Sequence, residues 1–112
     1  MKLWIDDVRP APEGYVWLKS TNEAIYFLRE WIVFANHMWP IMREYQTYPI
    51  IEVIDIDHDS GEFYEDGGDY IRILDWLEYQ CLSYPIRIHS ANPVGVENMR
   101  RIIERNGWKE VR

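Results

Sequence analysis

The sequence predicts an α/β domain built on an open parallel sheet, and three observations carry that expectation. Apolar strand-like runs alternate with stretches whose apolar residues recur at helical spacing. Three of those runs end abruptly in acid, imidazole or hydroxyl groups: Ile5-Asp6-Asp7-Val8-Arg9, Ile56-Asp57-His58-Asp59 and Ile88-His89-Ser90-Ala91-Asn92-Pro93. The chain has 112 residues, enough for one domain (1–112) with a real core but not for two. Ligands of an open parallel sheet bind outside the carboxyl ends of its strands. Three such ends would gather Asp6, Asp7, Asp57, His58, Asp59, His89 and Ser90 into one small volume.

The elements follow in order. Lys2-Leu3-Trp4-Ile5 is a short strand, and residues 6–14, with two prolines and a glycine, are a loop and not a helix. Tyr15-Val16-Trp17-Leu18 is a second strand. Ser20-Thr21 then offers an N-cap, with Glu23 at the capping-box position if Ser20 is the cap, and Ala24, Ile25, Phe27, Leu28, Trp31, Ile32 and Ala35 give the helix one broad buried face. Pro40 is expected to lie beyond its end. Pro49 precedes a third strand over residues 50–56, in which Glu52 and Asp55 interrupt an otherwise apolar run; the strand is partly exposed, or Asp55 belongs to the site. Residues 60–66 are polar and acidic and read as a mobile loop over the sheet edge. Gly67-Gly68 opens a helix with Tyr70, Ile71, Ile73, Leu74, Leu77 and Cys81 on its inner side. Pro85 introduces a fourth strand over residues 86–89. Asn92-Pro93 begins a helix as cap and first helical residue, and Asn106-Gly107 stops it. Residues 108–111 can form a fifth strand. The link from the first strand to the second is shorter than a parallel crossover normally needs, and it is read as an extended strap.

Bulk properties narrow the function. A formal charge of −7 argues against binding a nucleic-acid backbone, which needs a basic surface, but leaves room for a small phosphorylated ligand held through a metal. The single Cys81 cannot form an internal disulfide. With no signal peptide and no membrane-spanning apolar run, a cytoplasmic location is expected.

The candidate site residues each have a chemical reason. Adjacent carboxylates at Asp6 and Asp7 repel unless a cation lies between them, and hard oxygen donors suit Mg²⁺ or Mn²⁺; the competing role is a turn or cap. Asp57 would be a third metal ligand, and Asp59 either joins that shell or solvates the loop. Imidazole titrates near neutral pH, so His58 and His89 are candidates for general acid and general base, against a purely hydrogen-bonded structural role. A turn must begin at His58 for Asp57, His58 and Asp59 to converge, because strand alternation would otherwise send His58 to the opposite face. Ser90 and Asn92 stand before a helix N-terminus that can cradle an anion, while Asn92 can equally be a plain cap. Arg9 could clamp a phosphate or neutralise Asp6 or Asp7.

An acidic pair closing the first strand, an Asp closing the third and a Ser closing the fourth resemble the pattern of response-regulator receiver domains. More specifically, Leu3-Trp4-Ile5-Asp6-Asp7-Val8-Arg9-Pro10, Ile56-Asp57-His58-Asp59-Ser60-Gly61, Gly68-Asp69-Tyr70 and His89-Ser90-Ala91-Asn92-Pro93-Val94-Gly95 with Asn98-Met99 resemble the cyclic-phosphate processing receiver domains. The resemblance covers nearly the whole chain. It implies a flavodoxin-like (receiver-like) three-layer α/β/α sandwich with a parallel five-stranded sheet of order 2-1-3-4-5, here without the helix after strand 1. It also implies a divalent metal at the carboxylates and processing of a cyclic phosphate. Receivers carry a Lys at the end of the fifth strand; here only Lys109 or Arg112 could approach that role.

The expected activity is therefore a metal-dependent phosphoesterase acting on a small cyclic phosphate or nucleotide. Asp57, His58 and His89 would be catalytic, Arg9, Ser90 and Asn92 would bind phosphate, and Asp6, Asp7, Asp57 and Asp59 would hold Mg²⁺ or Mn²⁺. The alternatives are a receiver-type switch phosphorylated on Asp57, which would need a protein partner, and a nucleotide-sensing module without turnover.

Overall fold

The computed structural model describes residues 1–46 and 50–112. Among the described residues the order is β1 (Lys2–Ile5), β2 (Tyr15–Leu18), α1 (Thr21–Glu44), β3 (Val53–Ile56), a short 3₁₀ helix (Gly61–Phe63), α2 (Ile71–Tyr79), β4 (Ile86–Ile88) and α3 (Pro93–Asn106). The strands form a parallel sheet of order β2-β1-β3-β4. Lys2 pairs with both Tyr15 and Val53, and Ile5 with both Leu18 and Ile56. The strap between β1 and β2 is real, and the two strands are parallel across it. No helix among the described residues is long and apolar enough to cross a membrane.

Two parts of the expected architecture need correction. The fifth strand is reduced to one bridge, Glu110 beside Ile86, with Ile86 N–H donating to the Lys109 carbonyl and Val111 N–H to the Ile86 carbonyl. Among the described residues the helices also cover only one face of the sheet, which gives two layers and not three. Leu3, Ile5, Leu18, Ile54, Ile56 and Ile86 share a single core with Ala24 and Leu28 of α1, Ile73, Leu74 and Leu77 of α2, and Met99, Ile102 and Ile103 of α3. The alternate strand residues Lys2, Trp4, Tyr15, Trp17, Val53 and Arg87 are exposed or half-buried. The cause lies in the handedness of crossovers. The helix-bearing connections β2 to β3 and β3 to β4 run the same way across the sheet, and right-handed crossovers put both helices on one side. Only β1 to β2 runs back, and its connection carries no helix. Instead the strap caps the bare face: Trp4 Nε1 donates to the Arg9 carbonyl and Trp17 Nε1 to the Asp6 carbonyl, both at 2.8 Å.

The remaining departures are local. Ser20 caps α1 as expected, accepting from Glu23 N–H at 3.0 Å, while the Glu23 carboxylate reaches back to Lys19 N–H. The helix runs through Pro40 to Glu44. Pro40 removes the donor to the Asn36 carbonyl, but both residues are exposed, so water can serve it. The third strand is shorter than expected, and its expected boundary at Pro49 lies outside the described residues. Asp55 is 2 % exposed, so the strand is buried in spite of its acid. Residues 60–66, expected as a loop, hold the 3₁₀ turn, and Asp66 accepts from Ser20 Oγ and Asn22 Nδ2 at the start of α1. Cys81, spaced as though on α2, lies beyond its end at φ +56° and is exposed.

Candidate functional site

The acid cluster is built by sheet register. Ile5 and Ile56 are paired, Asp57 N–H donates to the Ile5 carbonyl at 2.9 Å, and the next residues of β1 and β3 leave the sheet side by side. Asp6, Asp7 and Asp57 each offer a carboxylate oxygen, all within 4.8 Å of one another. Asp6 is fully buried and Asp57 is 7 % exposed. Burial alone would raise the Asp6 carboxyl, but N–H donors from Arg9 and Val8, both 2.9 Å from Oδ1, and the His89 ring outweigh it and hold the group below the usual carboxylate range. Asp7 goes the other way, pushed up by burial first and then by facing Asp6 and Asp57. Gly61 closes the cluster: at φ +56° it accepts no side chain easily, and a Cβ there would lie 2.1 Å from Asp7 Oδ2.

His89 sits beside this cluster on the helix-free face. Its ring lies flat on Trp4, with centroids 3.9 Å apart and planes 5° from parallel. Nδ1 meets Asp55 Oδ1 at 2.6 Å and Nε2 meets Asp6 Oδ2 at 2.9 Å. The imidazole therefore bridges two buried acids. This differs from the expected free acid–base partner of His58, since neither nitrogen is turned towards an incoming ligand.

The strand does end where the turn is needed. His58 N–H donates to Asp57 Oδ1 at 2.7 Å, and the His58 ring packs against the first turn of α3, where a Cβ on Gly95 would fall 2.4 Å from its Cγ. Its Nδ1 lies 2.7 Å from Asp59 Oδ1, and Asn92 Nδ2 donates to the same carboxylate at 3.2 Å. The His58 contact, with Asn92 adding to it, lowers the Asp59 carboxyl against its burial. Asp59 thus belongs to a second group, with His58 and Asp69, and not to the three carboxylates it was expected to join. Asn92 also caps α3, accepting from Gly95 N–H at 3.0 Å, and Ser90 Oγ accepts from Asn92 N–H at 3.1 Å. The expected anion cradle is largely occupied by this cap, though the Ser90 hydroxyl keeps its own hydrogen to give.

A family model for the cyclic-phosphate processing receiver domain matches residues 1–105. The chain belongs to that family. No curated protein and no solved structure matches it.

In this cyclic-phosphate processing receiver domain no contact among the described residues brings Lys109 or Arg112 to the carboxylates, where ordinary receivers carry a Lys. The last segment meets β4 only at Ile86, the end away from the carboxylates, and Arg112 Nε turns back to Glu110 at 3.3 Å. Arg9 is the nearby cation: Nη1 donates to the His89 carbonyl at 3.0 Å, Nε lies 3.9 Å from Asp6 Oδ2, and about half of the side chain faces solvent. Two members of the receiver domain's site escaped sequence reasoning. Asp69 anchors Ser60 through its backbone N–H and its hydroxyl, at 3.1 and 3.3 Å, and Trp4 supports His89. Asp69 lay within a recognised motif but held no role there; Trp4 stood there only as a residue of the first strand and its motif.

Proposed function

We propose that this domain is a metal-dependent phosphoesterase that opens a small cyclic phosphate or nucleotide. The observation that carries the reading is the convergence of Asp6, Asp7 and Asp57 within 4.8 Å, with a carboxylate-held imidazole at the next residue, His58. The donor set fits a hard divalent cation such as Mg²⁺ or Mn²⁺. Asp7 supports the fit, because the repulsion and burial that raise its carboxyl are what a cation would relieve. Asp6, Asp7 and Asp57 would hold the ion, which when bound neutralises charge on the non-bridging phosphate oxygens.

The chain's own groups supply the rest. Asp59 receives the Nδ1 hydrogen of His58, which leaves the Nε2 lone pair as the base. His58 Nε2 takes a proton from the water that attacks phosphorus. One ester P–O bond breaks as the water oxygen bonds to phosphorus; the departing sugar oxygen takes a proton from solvent and His58 returns the one it took to solvent, so the product is a phosphomonoester with a free hydroxyl and the net reaction consumes one water. Arg9, half in solvent, and the Ser90 hydroxyl are the donors for phosphate oxygens. His89 acts here by holding Asp6 and does not carry a proton to substrate.

The test is a ³¹P NMR time course with Mg²⁺ or Mn²⁺ and 2′,3′- and 3′,5′-cyclic nucleotides, run beside Asp57→Asn and His58→Gln. Ring-opened product that disappears in both variants supports the assignment. If no nucleotide is opened, the phosphoesterase reading falls, and an Asp57-phosphorylated switch or a sensing module takes its place.

A further inference from the structure

Asp55 is costly where it stands. It lies mid-strand in β3 between Ile54 and Ile56, is 2 % exposed, and a buried carboxylate is tolerated only when paired. An apolar residue would fill the strand equally well, yet the register puts this carboxylate opposite Trp4 on one side and Arg87 on the other. Its Arg87 contact is loose, 4.0 Å to a half-exposed guanidinium. Its close partner is His89 Nδ1 at 2.6 Å, while the opposite ring nitrogen meets Asp6 Oδ2 at 2.9 Å. The ring is clamped on three sides: by Asp55, by Asp6, and by the parallel face of Trp4. A ring held at Nδ1 and on its face has one direction left for Nε2, and Asp6 lies in it.

We infer that Asp55 is a positioning residue that fixes the Asp6 carboxylate through His89, with Trp4 setting the plane of the ring. The inference rests on Asp6 as a metal ligand, as argued under Proposed function. Outer-shell groups that orient ligating carboxylates typically change metal affinity about 10–100-fold when removed. Asp55 touches neither the ion nor the substrate, so its effect must pass through the imidazole.

The experiment is Mn²⁺ affinity measured by EPR for the wild type, Asp55→Asn, Asp55→Leu, His89→Phe and the double variant Asp55→Leu/His89→Phe. Asp55→Leu is expected to weaken Mn²⁺ about 10–100-fold, while Asp55→Asn, whose amide oxygen can still accept from Nδ1–H, keeps most of the affinity. The double variant should bind no more weakly than His89→Phe, because residues that act as one unit are not additive. Losses that simply add would overturn the relay and leave Asp55 a structural residue, as would unchanged binding by Asp55→Leu. If Asp55→Leu does not fold, Asp55→Ser and the Nδ1–H proton signal of His89 in the metal-free protein carry the comparison. That signal should be protected in the wild type and lost in Asp55→Ser; its persistence would refute the contact. A wild type that binds no Mn²⁺ would overturn the metal reading itself, whereas wild-type binding with an indifferent Asp55→Leu overturns only the positioning role.

Discussion

At Asp7, burial and two neighbouring carboxylates act together, and the consequence is a trade between stability and binding. An acid whose folded pKa lies above its unfolded one destabilises the fold once ionised, and that cost is relieved as pH falls through the raised value. Asp7→Asn is therefore expected to raise the metal-free Tm near neutral pH and to abolish the further rise that Mn²⁺ gives the wild type; thermal scans with and without Mn²⁺ read both. Gly61→Ala tests the same oxygen from the other side. Its Cβ would fall 2.1 Å from Asp7 Oδ2 at a φ of +56°, so a cost of about 1–3 kcal/mol in urea titration is expected, together with weaker Mn²⁺ binding. Asp6, Asp7 and Asp57 were legible in the sequence because they terminate apolar runs. The partners of His89 were not, because a pairing across the sheet depends on register and leaves no local mark.

Helix α3 does two jobs with its first turn. Asn92 caps the helix through Gly95 N–H and holds Asp59 through its amide, so Asn92→Ala should cost about 1 kcal/mol of stability and also loosen the His58–Asp59 pair. The first effect reads out in denaturant unfolding. The second appears as lower turnover with unchanged Mn²⁺ affinity, since Asn92 touches none of the three clustered carboxylates. At the other end, α3 is tied to α2 by Arg105 and Asn106 on Glu78, which lower that carboxyl to about 2. The folded value lies below the unfolded one, so this contribution is fully present above the ordinary glutamate range and is lost as pH falls towards about 2. Glu78→Gln should lower Tm at neutral pH, and its difference from wild type should shrink as the solution is acidified. Sequence signals found the start and stop of α3 because caps are local chemistry. They placed the end of α1 too early and that of α2 too late, at Pro40 and Cys81, because solvent exposure at the first and a left-handed turn at the second override periodicity.

For the molecule as a whole, the two-layer arrangement leaves one sheet face to the strap, two capped tryptophans and the His89 cluster. The carboxylates stand at the strand ends, within a chain whose formal charge is −7. An ion that binds the folded state at about a hundred times its Kd adds about 2.7 kcal/mol, and a domain near this size gains roughly 4–8 °C per kcal/mol. Saturating Mn²⁺ should thus raise the wild-type Tm by well over 5 °C, while Asp57→Asn shows little shift; equal shifts in both would place the ion elsewhere. The sequence by itself determined the alternation of elements, the parallel sheet, the family likeness and the strand ends that carry acid and imidazole, since each is written in periodicity, caps and short motifs. Tertiary structure alone decided that the helices share one face, that Asp59 turns away from the metal-ligand candidates to hold His58, and that His89 is bound between Asp55 and Asp6. Those outcomes depend on crossover direction and on which residues stand opposite one another across strands, and both are set only when distant parts of the chain pack together.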